Sequence, residues 1–240
     1  MTLWSYNMTI ESHDLWVIYI TNEGGYRMPK ETFFNLNEEK QEKVMRSAIS
    51  EFSMHGFEKG NIGDIAKSAG VAKGSMYQYF ENKSELFLYC VQWSSELFIK
   101  KYTNFVDLPD KTTNFFDYLY ESAKTLFIQM REEKDLVIFL QDVFLGKYKS
   151  LMNESMEYMQ KISDEYMLQF IRQGKENGYI RKDIDDKLLC LFATAVSYKF
   201  KEYTLNKAKD LGEEILDEPF EAFETEYKAM IELMKNGMMG

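Results

Sequence analysis

The chain has 240 residues, 45% of them apolar and three of them Pro, with abundant Met, Phe and Tyr. That length suits one large domain or a small domain joined to a larger one, and few breakers among so many long and aromatic side chains point to an all-α fold. A formal net charge of −10 weighs, taken alone, against nucleic-acid binding, because phosphate neutralisation needs Lys and Arg. No apolar run reaches the roughly 18 residues of a membrane span, and two cysteines without a CxxC pair, Cys90 and Cys190, read as reduced buried thiols. The expectation is a cytoplasmic protein with no membrane partner.

Along the chain, the first 27 residues stand apart. They lack a helical period, and they lack the basic region and small-residue cleavage site of a signal peptide. Met28-Pro29-Lys30 makes a plausible protein start, and the codons of Gly24-Gly25 can spell a ribosome-binding site just upstream of it. Residues 1–27 are therefore read as a non-native leader from a misassigned start. A genuine N-terminal arm, with Leu15–Ile20 as a packing segment, is the second reading.

Asn37 can cap a first helix, with Glu38 and Glu39 in its first turn and Val44, Met45, Ala48, Ile49 and Phe52 at helical spacing up to a stop at Gly56. Asn61 caps a short second helix, with Asp64 in a capping-box-like position and Ile62, Ile65, Ala66 and Ala69 as its apolar side. Gly70 allows a tight turn, and a third helix runs from about Lys73 to Tyr79. Asn82 opens a fourth, with Glu85 at the capping-box position, running to about Phe105; Pro109 breaks it. A fifth starts at Asp110 or Thr112 and ends near Met130. Glu132–Leu145 is a sixth and Tyr148–Glu176 a seventh, closed by Asn177-Gly178. Asp183 begins an eighth, apolar on nearly every side from Leu188 to Val196, which must be covered all round. Pro219 suits the first turn of a ninth, with the stripe Phe220, Phe223, Tyr227, Met230, Ile231 and Met234. No strand signal follows residue 36.

Two short helices joined by a Gly-containing turn have the form of a helix-turn-helix at Asn61–Phe80. The second helix must be held by its inner side while its outer side reaches phosphates and base edges. Met76 and Phe80 serve the first need; Lys73, Ser75, Tyr77, Gln78 and Tyr79 lie outward or at the margin. Between Lys59 and Lys83 there are four Lys against Asp64 and Glu81, and the acidity gathers in residues 85–240, which hold −8. The whole-chain charge is thus no bar to this segment meeting DNA. Each residue also has a plainer reading: a packed aromatic for Tyr77 and Tyr79, a solvated side chain for Gln78 and Lys73.

The ordered elements Phe52…Gly56-Phe57, Asp64-Ile65-Ala66, Ala69-Gly70-Val71, Lys73–Phe80 and Lys83-Ser84-Glu85-Leu86 resemble the DNA-binding domain of the tetracycline-repressor (TetR) family, over about a fifth of the chain. The resemblance implies phosphate contacts from Ser75, Tyr77, Tyr79 and Lys83, and base or groove contacts from Lys73, Gly74 and Gln78. Three departures matter. Asn61 replaces a frequent Thr or Ser cap, a chemically neutral change. Gly63 sits inside the second helix at a cost of about 1 kcal/mol relative to Ala. Ala72 stands where a Ser usually caps the recognition helix, with a loss of about 1 kcal/mol.

Residues 28–84 are expected to form the DNA-binding domain and residues 85–240 a helical ligand-binding and dimerisation domain, which resembles the family in layout only. Gly174–Asp183 with Asp185-Asp186 looks like the turn before the dimerisation helix. Residues 183–206 and 219–235 would pair with a second copy in a four-helix interface, helped by the small residues Ala193, Ala195 and Ser197. A twofold dimer implies a palindromic double-stranded operator. The family's second domain usually takes a small-molecule inducer, here possible as an apolar compound against Phe127, Met130, Phe139, Phe144, Met156, Met159 and Tyr166; plain core is the simpler reading of these residues. The expected function is ligand-released repression, coupled through the fourth helix. No cofactor or metal motif, phosphate loop or nucleophile motif is present, and His13 and His55 do not suggest catalysis, so an enzyme is the weaker rival. The other rival is a helical adaptor that reuses the motif without specific DNA binding.

Overall fold

Three of the first helix starts in this chain are set by Asn side chains that take up the orphan N–H groups of a first turn. In the computed structural model, which describes residues 29–102, 115–210 and 215–238, the Asn37 carboxamide accepts the Lys40 N–H at 2.9 Å and opens α2 (Glu38–Lys59). Asn61 accepts from the Gly63 N–H at 2.8 Å and opens α3 (Ile62–Ala69). Ala72 precedes α4 (Lys73–Tyr79) and offers no side-chain cap. Asn82 accepts the Glu85 N–H at 2.9 Å at the head of α5 (Lys83–Tyr102), and the Glu85 carboxylate reaches back to the Glu81 N–H at 3.2 Å. Ahead of all these lies a four-residue helix, α1 (Glu31–Phe34), which the apolar pattern did not signal.

The remaining helices are α6 (Phe115–Gln129), α7 (Lys134–Phe144), α8 (Met152–Glu176), α9 (Asp186–Asp210) and α10 (Glu224–Met238). Short 3-10 turns at Met130–Glu133, Lys149–Leu151 and Phe220–Ala222 lead into α7, α8 and α10. Among the described residues there is no strand, and the fold is all-α with nine helices of seven residues or more. None of them is long and apolar enough to cross a membrane.

Several boundaries move for identifiable reasons. Gly56 adopts φ 73°, ψ 166°, a conformation essentially reserved for glycine, so α2 kinks there and a last turn runs on to Lys59. The eighth predicted helix begins at Asp186 rather than Asp183. Asp183 is held by Arg181 through two bonds of 2.8 and 2.6 Å, which keeps its carboxyl down at about 2, and the Asp185 carboxylate accepts the Lys187 N–H at 2.9 Å. Pro219 precedes a 3-10 turn, not the first α-helical turn of α10. The expected break at Pro109, the helix start at Asp110 or Thr112, and residues 1–27 lie outside the described residues.

Two cores carry the chain. The first joins α1–α5 to α7 and α8 around Phe87 of α5. Its ring lies 5.2 Å from Phe52, 5.4 Å from Phe57, 5.5 Å from Phe139 and 4.8 Å from Tyr148, mostly edge to face, as ring quadrupoles prefer. Polar ties follow the same seam. The Tyr148 hydroxyl donates to the Phe52 carbonyl at 3.3 Å, and Arg46 on α2 pairs with Glu42 at 2.7 Å and with Glu133 at 2.8 Å. Residues on both sides of position 84 therefore share one core. The second core joins α8, α9 and α10 through Ile171, Ile180, Leu189, Ala193 and Ile231.

Because Phe87 closes the seam, Phe87→Ala is expected to lower the unfolding free energy by about 3–5 kcal/mol, read by urea denaturation. A denaturation midpoint equal to that of the parent protein would contradict this packing.

Candidate nucleic-acid interface

The helix-turn-helix is built from α2 upward. Ile65, Ala66 and Ala69 bury one side of α3. The helix stops at Gly70, left-handed at φ 73°, ψ 32°, and the Val71 N–H closes the end onto the Ala66 carbonyl at 2.9 Å. The chain then turns into α4, whose Met76 and the following Phe80 are both 2% exposed and hold it from beneath.

The head of α3 corrects one expectation. The backbone N–H of Asn61 is taken by Glu51 of α2 at 3.0 Å, so the partner that completes the cap comes from another helix; Asp64 is exposed. Gly63 also gains a reason. A Cβ there would stand 3.2 Å from the Asn61 cap oxygen and 3.6 Å from Cδ of Lys73. The tight neighbour is the cap oxygen: a side chain at position 63 would press on the Asn61 carboxamide that opens α3, while the Lys73 stem lies at ordinary contact distance.

On the outer side of α4, Lys73, Gly74 and Gln78 are exposed, Tyr77 is 49% exposed and Ser75 is half-buried. The helix, KGSMYQY, contains no acidic residue. Two expected contact residues are placed otherwise. Tyr79 is buried, its ring packed at 6.0 Å against Phe33, because α1 occupies the side that the pattern left open. Lys83 turns inward: its ammonium donates to the carbonyls of Glu58 at 3.0 Å and Gly60 at 3.2 Å and sits 4.8 Å over the Phe57 ring. That leaves one of its three N–H groups for an external phosphate.

Sequence reading missed the residues at the other end of α4. The Lys30 N–H donates to the Tyr79 carbonyl at 2.8 Å, the Lys30 ammonium to the Tyr77 carbonyl at 2.9 Å, and the Thr32 hydroxyl to the Gln78 carbonyl. A four-residue helix carries too little periodicity to be detected, and these bonds span 46 to 49 positions.

The seven residues expected to line a ligand pocket fall in separate packing environments. Phe139 is fully buried in the first core, with Met159 packed on that core. Phe127 lies against Phe220 at 5.7 Å, beside the turn into α10. Phe144 stacks on Tyr198 at 4.7 Å, with the Lys201 ammonium 4.5 Å over its ring; burial pushes that ammonium down to about 8. Met130 is half-buried in the 3-10 turn before α7, and Met156 and Tyr166 are half-buried on α8.

One side of α9 is uncovered: Leu188 (58% exposed), Leu191 (64%), Phe192 (40%) and Ala195 fall at i, i+3, i+4 and i+7. Leu233 of α10, 71% exposed, adds to the apolar surface of the terminal helices.

A tri-helical DNA-binding motif on an all-helical bundle defines the class as a helix-turn-helix protein. Residues 44–90 match the model of the tetR family of bacterial regulatory proteins. The chain matches that family over this segment, about a fifth of its length. It is 42% identical over 59 residues to the HTH-type transcriptional regulator YvdT of Bacillus subtilis, covering 25% of this chain and 28% of that one. With the HTH-type transcriptional repressor KstR2 of Mycobacterium tuberculosis it shares 24% identity over 150 residues, 62% of this chain and 74% of the relative. Relatives of 40–42% identity are thus matched over only 21–28% of their length. Among solved structures, a TetR family transcriptional regulator from Chloroflexus aurantiacus superposes with a TM-score of 0.51 at 25% identity, covering 88% of this chain and 98% of that one. The fatty acid degradation regulator FadR from Bacillus halodurans shares the fold, with a TM-score of 0.56 at 20% identity over 83% of this chain and 95% of its own.

The capping at α3 yields a contrast. Asn61→Ala should cost about 1 kcal/mol of stability in urea unfolding, whereas Asp64→Asn should stay within about 0.5 kcal/mol. Equal losses would restore Asp64 to the capping role.

Proposed function

We propose that this protein is a dimeric transcriptional repressor that lays α4 in the major groove of a palindromic operator and leaves it when an apolar small molecule binds the bundle. The observation that carries this reading is α4 itself: an acid-free outer side of Lys73, Gly74, Ser75, Tyr77 and Gln78 on a helix anchored from beneath by Met76 and Phe80. Lys73 and Gln78 have the donors and acceptors to read base edges, while Ser75 and Tyr77 fit phosphate oxygens. Lys83 adds one phosphate contact and steadies the end of α2. Tyr79 serves through its buried ring, with no more than its edge toward DNA. In this division residues 28–84 carry DNA recognition and residues 85–240 carry the ligand and the partner subunit.

The uncovered stripe on α9, with Leu233 of α10, supports pairing with a second copy, since a contiguous exposed apolar side marks an interaction surface. A twofold dimer would present two α4 helices about one DNA turn apart, which calls for a palindromic operator. For the inducer, Phe127, Met130, Phe139, Phe144, Met156, Met159 and Tyr166 are the candidate contacts, with bundle rearrangement bringing them to one ligand. Such a ligand shifts operator affinity only by its own difference in affinity for the two states. Most of the chain's acidity lies in residues 85–240, which keeps DNA off the bundle and on α4.

Selection of bound duplexes from a random pool tests the reading. A palindromic consensus should emerge. On that duplex Gln78→Ala and Lys73→Ala should each lose about 1–3 kcal/mol of discrimination at one base pair. Retention of all duplexes alike at moderate salt would favour a protein-binding adaptor instead.

A further inference from the structure

The last carbonyls of a helix have no partner within it. In α4 those of Tyr77, Gln78 and Tyr79 are each met by a group from one short segment: the Lys30 ammonium, the Thr32 hydroxyl and the Lys30 N–H. The segment is itself anchored. Phe33 is fully buried, with ring centroids of Phe80 at 5.1 Å, Tyr89 at 5.7 Å and Tyr79 at 6.0 Å around it. Lys30 also puts a positive charge at the negative end of the α4 dipole.

This hold compensates for a helix that is weak everywhere else. It spans seven residues, begins at Ala72 without a side-chain cap, and carries Gly74 at its second position. Met76, Tyr79 and Phe80 bury its inner side, and three consecutive carbonyl directions fix the end of its last turn. Two of those carbonyls belong to Tyr77 and Gln78, the residues whose side chains point outward.

We propose that Lys30 and Thr32 are positioning residues for DNA recognition: by clamping the end of α4 they set the frame in which Tyr77 and Gln78 meet the operator. This rests on the operator-binding reading above. Neither residue reads a base. Their loss leaves the outer side of α4 chemically intact but its last turn free to fray, so specific binding suffers more than general attraction to DNA.

Three variants of the full chain test the clamp. Thr32→Val keeps shape and removes the donor, Thr32→Ser restores it, and Lys30→Met keeps the stem without the charge. Affinity for the selected operator and for a scrambled duplex is measured across a salt series, and amide hydrogen exchange is followed in the free protein. A lost hydrogen bond of ordinary strength predicts about tenfold weaker operator binding for Thr32→Val and Lys30→Met, with scrambled-duplex binding within about twofold of the parent. Thr32→Ser should bind like the parent, and exchange should quicken in α4 while α2 and α3 keep their protection. Operator affinity unchanged in Thr32→Val, or operator and scrambled affinities falling together, would overturn the proposal. For Lys30, a salt slope reduced by about 1 would replace positioning with direct phosphate contact. Should the parent protein itself show no operator preference, the operator reading fails; exchange in the free variants still reports whether the clamp holds α4.

Discussion

A helix of seven residues does not persist in water on its own, and the outer side of this molecule that matters most is carried by such a helix. Everything around α4 answers that constraint. Met76 and Phe80 bury its inner side, Gly70 and Val71 set its approach from α3, and Lys30 and Thr32 take up its final carbonyls. Phe33 and Phe80 in turn lie in the same core as Phe87, Phe139 and Tyr148. The recognition surface is therefore as rigid as a core that runs on into the helical bundle. On the proposed function, a ligand that displaces α7 or α8 acts on the rings that hold α5, and α5 follows directly on α4.

The extent to which this was legible in the sequence divides along a physical line. Local chemistry was readable: Asn37, Asn61 and Asn82 as caps, Gly56 and Gly70 as breaks, Met76 and Phe80 as the inward pair. Each depends on neighbours within about one helical turn. What escaped depends on partners distant in the chain. The Asn61 N–H is taken by Glu51, Lys83 spends its ammonium on the end of α2, and Tyr79 is covered by α1. Nothing in the spacing of apolar residues reports where a lysine stem will bend. The departures from the family pattern divide the same way. Gly63 reads as a weak point in α3, yet a Cβ there would crowd the Asn61 oxygen that caps the helix. Ala72 does leave α4 without a side-chain cap, and the hold on that helix comes from its other end.

The second half of the chain shows the limit of composition. Met and aromatic side chains at helical spacing suggest ligand contacts, and packing places them in several environments: Phe139 in the first core, Phe127 beside Phe220, Phe144 beneath Lys201. Hydrophobic pattern alone does not separate a core residue from a ligand contact. It was more informative on α9, where an apolar sequence on nearly every side cannot all be covered by one chain. The residues left over form a stripe at helical period on the terminal helices.

The central claim is that α4, with Lys83 at the head of α5 beside it, meets DNA and the terminal helices do not. It is tested most directly by placing a photo-crosslinking residue, p-benzoylphenylalanine, at position 78 in one variant and at position 233 in another, and irradiating each with a selected duplex. The account predicts a crosslink to DNA from position 78 and none from position 233. Crosslinking from position 233 with none from position 78 would contradict it.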